Sequence, residues 1–251
     1  MTDRTNMFKN LMTGAFLCTA IAIFAAMPQT AFAQDESDEA KTIDKSAIPE
    51  TAEKIEGFVP EGWKIEEDVK GDVNGDKIDD HVLKLIEDKP STDKDDRGVD
   101  RSRALVIVFA DKEGTLTLAT IADRLLQCTA CGGAFYGVSD APANVTIEKG
   151  VIVVNQDHGS RWVTDLTYKF RYDEQPGMFL LIGFDYSGRD RADGSVTSES
   201  TNYLTGKRIT TTGKGKKTTT KNSTVAKDRI AIESVDTEDF ESKATSRLGL
   251  D

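Results

Sequence analysis

The chain has 251 residues, with 32 Lys and Arg against 43 Asp and Glu, and a formal net charge of −11 at pH 7. That balance excludes nucleic acid as an expected partner, since phosphate binding is dominated by Lys and Arg, and it agrees with cation binding. A hydrophobic share of 38% permits one β-rich domain or two small ones, but not a large core.

Residues 1–33 read as a signal peptide: Arg4 and Lys9 precede an apolar run over 11–27, and Ala31-Phe32-Ala33 is a small-residue cleavage site. The bulky side chains ahead of Cys18 do not suit a lipoprotein signal. A periplasmic or secreted product starting at Gln34 is expected, and no later run is apolar enough to span a bilayer. Residues 34–50 are acidic and aperiodic, so they read as a disordered leader. An antiparallel β domain over 51–235 then opens on Phe58 and Trp63, which are expected to start the core.

The chemically distinctive stretch is Asp72-Val73-Asn74-Gly75-Asp76-Lys77-Ile78-Asp79-Asp80, set between segments that alternate like strands. Side-chain oxygens at its first, third, fifth and ninth positions (Asp72, Asn74, Asp76, Asp80) can converge on a hard cation, with the Ile78 carbonyl at the seventh. The expected metal is calcium. Residues 88–101 have almost no apolar side chains and read as a surface loop. Residues 104–110 form a continuous apolar run, expected to be a strand buried on both faces. Asp111-Lys112-Glu113-Gly114 turns it into an alternating strand over 115–119.

The loop over 71–80, the strand Val82-Leu83-Lys84-Leu85 and the hairpin beginning at Leu105 together resemble a single FG-GAP or VCBS-type repeat, over residues 63–119. The resemblance implies a blade-like antiparallel unit whose acidic loop binds calcium through Asp72, Asn74, Asp76 and Asp80. One position departs from the family pattern: Lys77 stands where these loops carry Gly, and a left-handed backbone there costs an L residue about 1 kcal/mol. Only one such repeat is present. Asp185 to Asp193 is acidic and loop-like, but Arg189 and Arg191 interrupt its oxygens.

Cys128-Thr129-Ala130-Cys131-Gly132-Gly133 holds the two cysteines beyond the signal segment. In an oxidising compartment they are expected to form a disulfide that fixes a turn. A redox pair, or a zinc site recruiting His81 and His158, are the alternatives. A chain joining this turn to Gly159-Ser160-Arg161-Trp162 and a Tyr168-to-Tyr172 strand is also similar to uncharacterised exported bacterial proteins, a likeness that carries no activity.

A β-meander follows, with strands at 144–147, 151–155, 162–172 and 178–184 and with Tyr168, Phe170 and Tyr172 on one core face. Asp157-His158-Gly159-Ser160 holds the residue types of a hydrolytic triad, but side chains of one turn do not converge as a triad must. A hairpin connection is expected there, with Asp157 and Ser160 bonding the local backbone and Arg161 and Trp162 able to line a small anionic pocket. Residues 201–227 read as a basic β-ribbon, through Lys207, Arg208, Lys214, Lys216, Lys217 and Lys221. It can dock on an anionic envelope surface, whether phospholipid, lipopolysaccharide or acidic glycan, or neutralise the chain's own acids. One more strand is expected at 229–232, before a flexible tail over 236–251.

The expected fold is all-β, with antiparallel sheets, a propeller-blade-like hairpin, a β-meander and one short helix at most outside the signal peptide. No acid, base and nucleophile set stands out. The expected function is therefore that of an exported, non-enzymatic binding or structural protein with a calcium-stabilised loop. The alternative is a hydrolase acting on glycans, with carboxylates such as Asp157 and Asp185 brought together by folding.

Overall fold

The computed structural model describes residues 42–90, 99–136 and 141–250. The expected signal peptide, residues 34–41 of the expected leader and residues 91–98 of the expected surface loop lie outside them. Two antiparallel sheets dominate. Strands β1 (Thr51–Ala52), β2 (Trp63–Gly71), β3 (Asp80–Glu87), β4 (Arg103–Ala110) and β5 (Leu116–Ala122) form a five-stranded sheet in the order β1-β5-β4-β3-β2. Strands β6 (Ala143–Glu148), β7 (Val151–Gly159), β8 (Trp162–Asp173), β9 (Met178–Asp190), β10 (Ser195–Asn202), β11 (Lys207–Lys214) and β12 (Lys217–Thr224) form a seven-stranded sheet in sequential order. Among the described residues no helix is long and apolar enough to cross a membrane.

The apolar runs explain the layering. Side chains of a strand alternate between its faces, so a strand that is apolar throughout can be covered on both. In β3 and β4, Val82, Leu105 and Ile107 enter a core shared with Ile152, Val154, Leu166, Tyr168, Phe170 and Phe184 of the second sheet. Leu83, Leu85, Val106 and Val108 face the other way, onto Phe58, Trp63, Ile43 and Ile48. Residues 42–63 therefore cover the outer face of the first sheet, and the second sheet covers its inner face. Phe109 joins the aromatic part of the shared core, with its ring 5.2 Å from that of Tyr172.

Buried polar side chains tie the layers in register. Arg103 donates to both carboxylate oxygens of Glu66 at 2.8 Å and to the Ala141 carbonyl at 2.9 Å. Lys84 donates to the Ala143 carbonyl, and Gln156 is bonded at both ends, to the Gln127 N–H and the Leu125 carbonyl. Each is satisfied, as burial requires.

Four expectations need correction. Residues 42–50 are not a disordered leader, because Ile43 and Ile48 are buried and Asp44 caps a 3-10 helix over Lys45–Ala47. The segment 229–232 is not a strand: it makes one bridge, between Ala231 and Leu180, and leads into a 3-10 helix at Ile232–Ser234. Asp185 to Asp190 continues β9 instead of forming a loop. The tail is not flexible. It forms α1 (Thr237–Leu248), with Asp236 accepting from the Glu238 and Asp239 N–H groups and with Gly249 (φ 68°) as the left-handed C-cap. Phe240 packs 5.4 Å from Phe184 and 5.9 Å from Tyr168 by ring centroid, so α1 closes the core over the second sheet.

Candidate functional site

The acidic loop joins β2 to β3 and is anchored at both ends. Val73 is buried in the shared core, and Asp80 is fully buried. The Val73 N–H donates to Asp80 Oδ2 at 3.0 Å, while the Ala110 N–H, from the end of β4, donates to Oδ1 at 3.1 Å. Burial holds the Asp80 carboxyl above the usual range, and Asp76 adds to the shift by repulsion. Asp72 folds back on the loop, accepting from Gly75 N–H at 2.6 Å and Lys77 N–H at 3.0 Å. Lys77 has φ 73°, the left-handed conformation that suits Gly.

Asn74 Nδ2 lies 3.4 Å from Asp76 Oδ2 and 3.5 Å from Asp80 Oδ1, so its amide nitrogen bridges the two carboxylates, while Asn74 Oδ1 accepts from the Asp76 N–H at 2.9 Å. The carboxylate oxygens of Asp76 and Asp80 are the type a hard cation takes, and an oxygen that accepts one N–H keeps a second lone pair, but Asn74 would have to turn its amide to present Oδ1 beside them. Among the described residues, no three or more His, Cys, Asp or Glu side chains are grouped to hold a metal ion. The loop would hold calcium with the Asn74 amide and backbone carbonyls such as that of Ile78 supplementing its carboxylates.

A second concave site, of about 740 Å³, opens where the ends of the two sheets meet α1. Cys128 and Cys131 line it, joined as a disulfide with Cα atoms 5.1 Å apart. Cys128 precedes a 3-10 helix at Thr129–Phe135 that is interrupted at Gly133 (φ 70°). A side chain at Gly133 would meet the Gly159 carbonyl at 2.9 Å, so glycine lets this turn lie against β7. The zinc alternative is not assembled: His81 Nδ1 is bonded to Asp68 at 2.9 Å and His158 Nε2 to Glu241 at 2.9 Å. That bond with Glu241, on α1, holds the His158 imidazole above its ordinary pKa.

The connection after β7 is a hairpin, closed by Ser160 N–H donating to the Trp162 carbonyl. Asp157 does not cap the local backbone as expected. Its Oδ2 accepts from the Tyr136 hydroxyl at 2.7 Å, which pushes the tyrosine pKa up, while its buried Oδ1 has no partner among the described residues. Arg161 closes onto Asp190 with bonds of 2.8–3.1 Å and so forms part of an ion pair instead of an open anion pocket. Asp185 is held by Lys169 at 2.9 Å and by the Ser200 hydroxyl. Neither Asp157 nor Asp185 lines the large cleft, whose carboxylates are Asp100, Asp123, Asp236, Glu238 and Glu241.

The basic ribbon forms as β11 and β12. Its charges divide into two groups. Glu199, almost fully buried on β10, takes Arg208 at 3.3 Å and Arg247 of α1 at 2.6 Å. Lys214 is paired with Asp193 at 2.9 Å, and this draws the Asp193 carboxyl well below the carboxylate range. Lys207, Lys216, Lys217 and Lys221 make no ion pair among the described residues. No family model, curated protein or solved structure matches this chain.

Sequence reasoning missed the Tyr136–Asp157 and His158–Glu241 pairs and the Glu199 clasp. Their partners lie 21, 83 and 48 residues apart, separations at which local patterns carry no signal. The capping residues of α1 were available, in Asp236 and Gly249, and would have placed Glu241 and Arg247 on one ordered element.

Proposed function

We propose that the protein is an exported, non-enzymatic binding or structural protein whose β2–β3 hairpin is fixed by a calcium-holding loop. The observation that carries this reading is that the Asp76 and Asp80 carboxylates both lie against the Asn74 amide nitrogen, a donor standing where a cation would sit between them. Lys77 supports it by taking the left-handed conformation that the FG-GAP-like pattern reserves for Gly. The β2-β3-β4-β5 run, an antiparallel meander of four strands, is in keeping with a single blade-like unit. Export is supported by the sequence of residues 1–33 and agrees with the Cys128–Cys131 disulfide. A hydrolytic pair made of Asp157 and Asp185 is disfavoured, because the two are engaged in separate structural bonds.

Calcium binding is read by thermal unfolding with calcium and with chelator, in the wild type and in Asp72→Ala and Asp76→Ala. At ten times the dissociation constant, preferential binding to the folded state contributes about 1.4 kcal/mol. Magnesium should substitute poorly, since it gives up its waters reluctantly. Identical wild-type melting in calcium and chelator, with no heat on titration, would remove the calcium from this reading.

A further inference from the structure

We propose that the free edge of β12 is a docking site for an extended acidic peptide segment, which adds to the seven-stranded sheet as an eighth strand. The proposal rests on the binding reading above but not on calcium.

Among the described residues, strand β12 ends the sheet, pairs only with β11, and is exposed at all eight positions. Its ladder can be phased. The Val225 N–H donates to the Gly206 carbonyl, so alternate residues counted back from Val225 point their backbone groups at β11. The residues between them, Thr218, Thr220, Asn222 and Thr224, direct N–H and C=O groups outward. That is the template that strand addition uses.

Charge and apolar surface indicate what kind of strand fits. Lys217 and Lys221 lie on one face of the edge strand, in register with Lys214 and Thr210 of β11. Lys207 lies on the opposite face, and Lys216 in the turn between the two strands. The three large apolar side chains that are exposed among the described residues also gather here: Val196 (36%), Leu204 (47%) and Ile209 (44%). Val196 of β10 and Ile209 of β11 share the face opposite Lys217 and Lys221, since Val196 pairs with Gly213 and Ile209 with Ser200 and Asn222.

Edge lysines alone are a common device against strand aggregation. That device does not account for the apolar side chains left open on the other face of the sheet, one and two strands in from the edge. A second copy of this chain, added antiparallel, would bring the Lys217 and Lys221 rows together, and like charges placed opposite each other destabilise a sheet. An acidic strand complements Lys217 and Lys221 on one face, and apolar residues alternating with its acids fall on the face that carries Ile209.

The test uses the exported chain and a fluorescein-labelled octapeptide alternating glutamate with valine. Controls are the same peptide with lysine for glutamate and vesicles of phosphatidylglycerol. The expected result is saturable binding of the acidic peptide that weakens with salt, with calcium or chelator making no difference. Slowed hydrogen exchange should appear at the Thr218, Thr220, Asn222 and Thr224 amides. Lys217→Glu combined with Lys221→Glu should weaken binding at least tenfold. Thr220→Pro should abolish it while leaving the fold intact, because the lost N–H is one that β11 does not use. Binding without protection of those amides, equal binding of the lysine peptide, vesicle binding without peptide binding, or concentration-dependent dimerisation through this edge would each overturn the proposal. Peptide binding in a chain that shows no calcium response would leave this proposal standing and sink only the calcium reading.

Discussion

Replacing Lys77 with Gly isolates the backbone of the acidic loop from its charges. Lys77 sits at φ 73°, where an L residue bears a steric cost of about 1–2 kcal/mol that Gly avoids. Glycine also frees the unfolded chain, which takes back about 0.4–1 kcal/mol. The bond from the residue 77 N–H to Asp72 Oδ2 is a main-chain bond and survives the substitution. The net expectation is a gain of about 0.5–1 kcal/mol in chelator, which for a chain of this size raises the melting temperature by about 1–4 °C. Lys149, at φ 53° in the β6–β7 turn, is the control. Lys149→Gly should give a similar gain in chelator and leave any calcium response unchanged, whereas Lys77→Gly should enlarge that response. Urea unfolding of the three proteins, with and without calcium, measures both quantities. A loss of about 1 kcal/mol for Lys77→Gly in chelator, the cost of adding freedom to an unstrained loop, would refute the assignment of strain.

Arg247→Ala should destabilise the chain by about 2–4 kcal/mol in denaturant unfolding, because it removes two charged hydrogen bonds from the buried Glu199 and leaves Arg208 as its remaining ion-pair partner. The double variant with Glu199→Gln should lose less than the sum of the single variants, and full additivity would show that the clasp is not formed. The His158–Glu241 bond makes a pH-dependent contribution. Since the folded pKa of His158 is raised, the stabilisation is fully present below the unfolded value of about 6.5 and is lost as pH rises through the folded value. Melting between pH 5 and 9 should fall less steeply in His158→Gln than in the wild type, and parallel profiles would remove the ion pair from the account.

The legible parts of the fold were those where burial is apolar. The run at 104–110 announces a strand covered on both faces, and the aromatics at 168 and 170 announce a core face, because in both cases the periodicity is carried by hydrophobic side chains. Strand β10 was invisible for the opposite reason. Its inward side chains are Thr197, Glu199 and Thr201, polar groups whose burial depends on Arg208 and Arg247 arriving from later in the chain. The tail was misread because its charge suggested solvent. Its first-turn acids, Glu238 and Asp239, are what the positive end of a helix favours, and Phe240 and Ala244 supply the inward contacts.

The acidic loop shows how one pattern can serve two purposes. Asp80, read in the sequence as a fourth ligand, accepts from two backbone N–H groups belonging to the start of the loop and the end of β4. This staple closes the β2–β3 hairpin against its neighbour whether or not a cation is present. Asp76, by contrast, makes only exposed bonds within the loop, to the Ile78 N–H and Asn74. Spacing alone cannot separate a residue that builds the loop from one left available to a ligand. The burial of Asp80 and the exposure of Asp76 do separate them, and they make Asp76 the position at which the proposed calcium site can be tested at least cost to the fold.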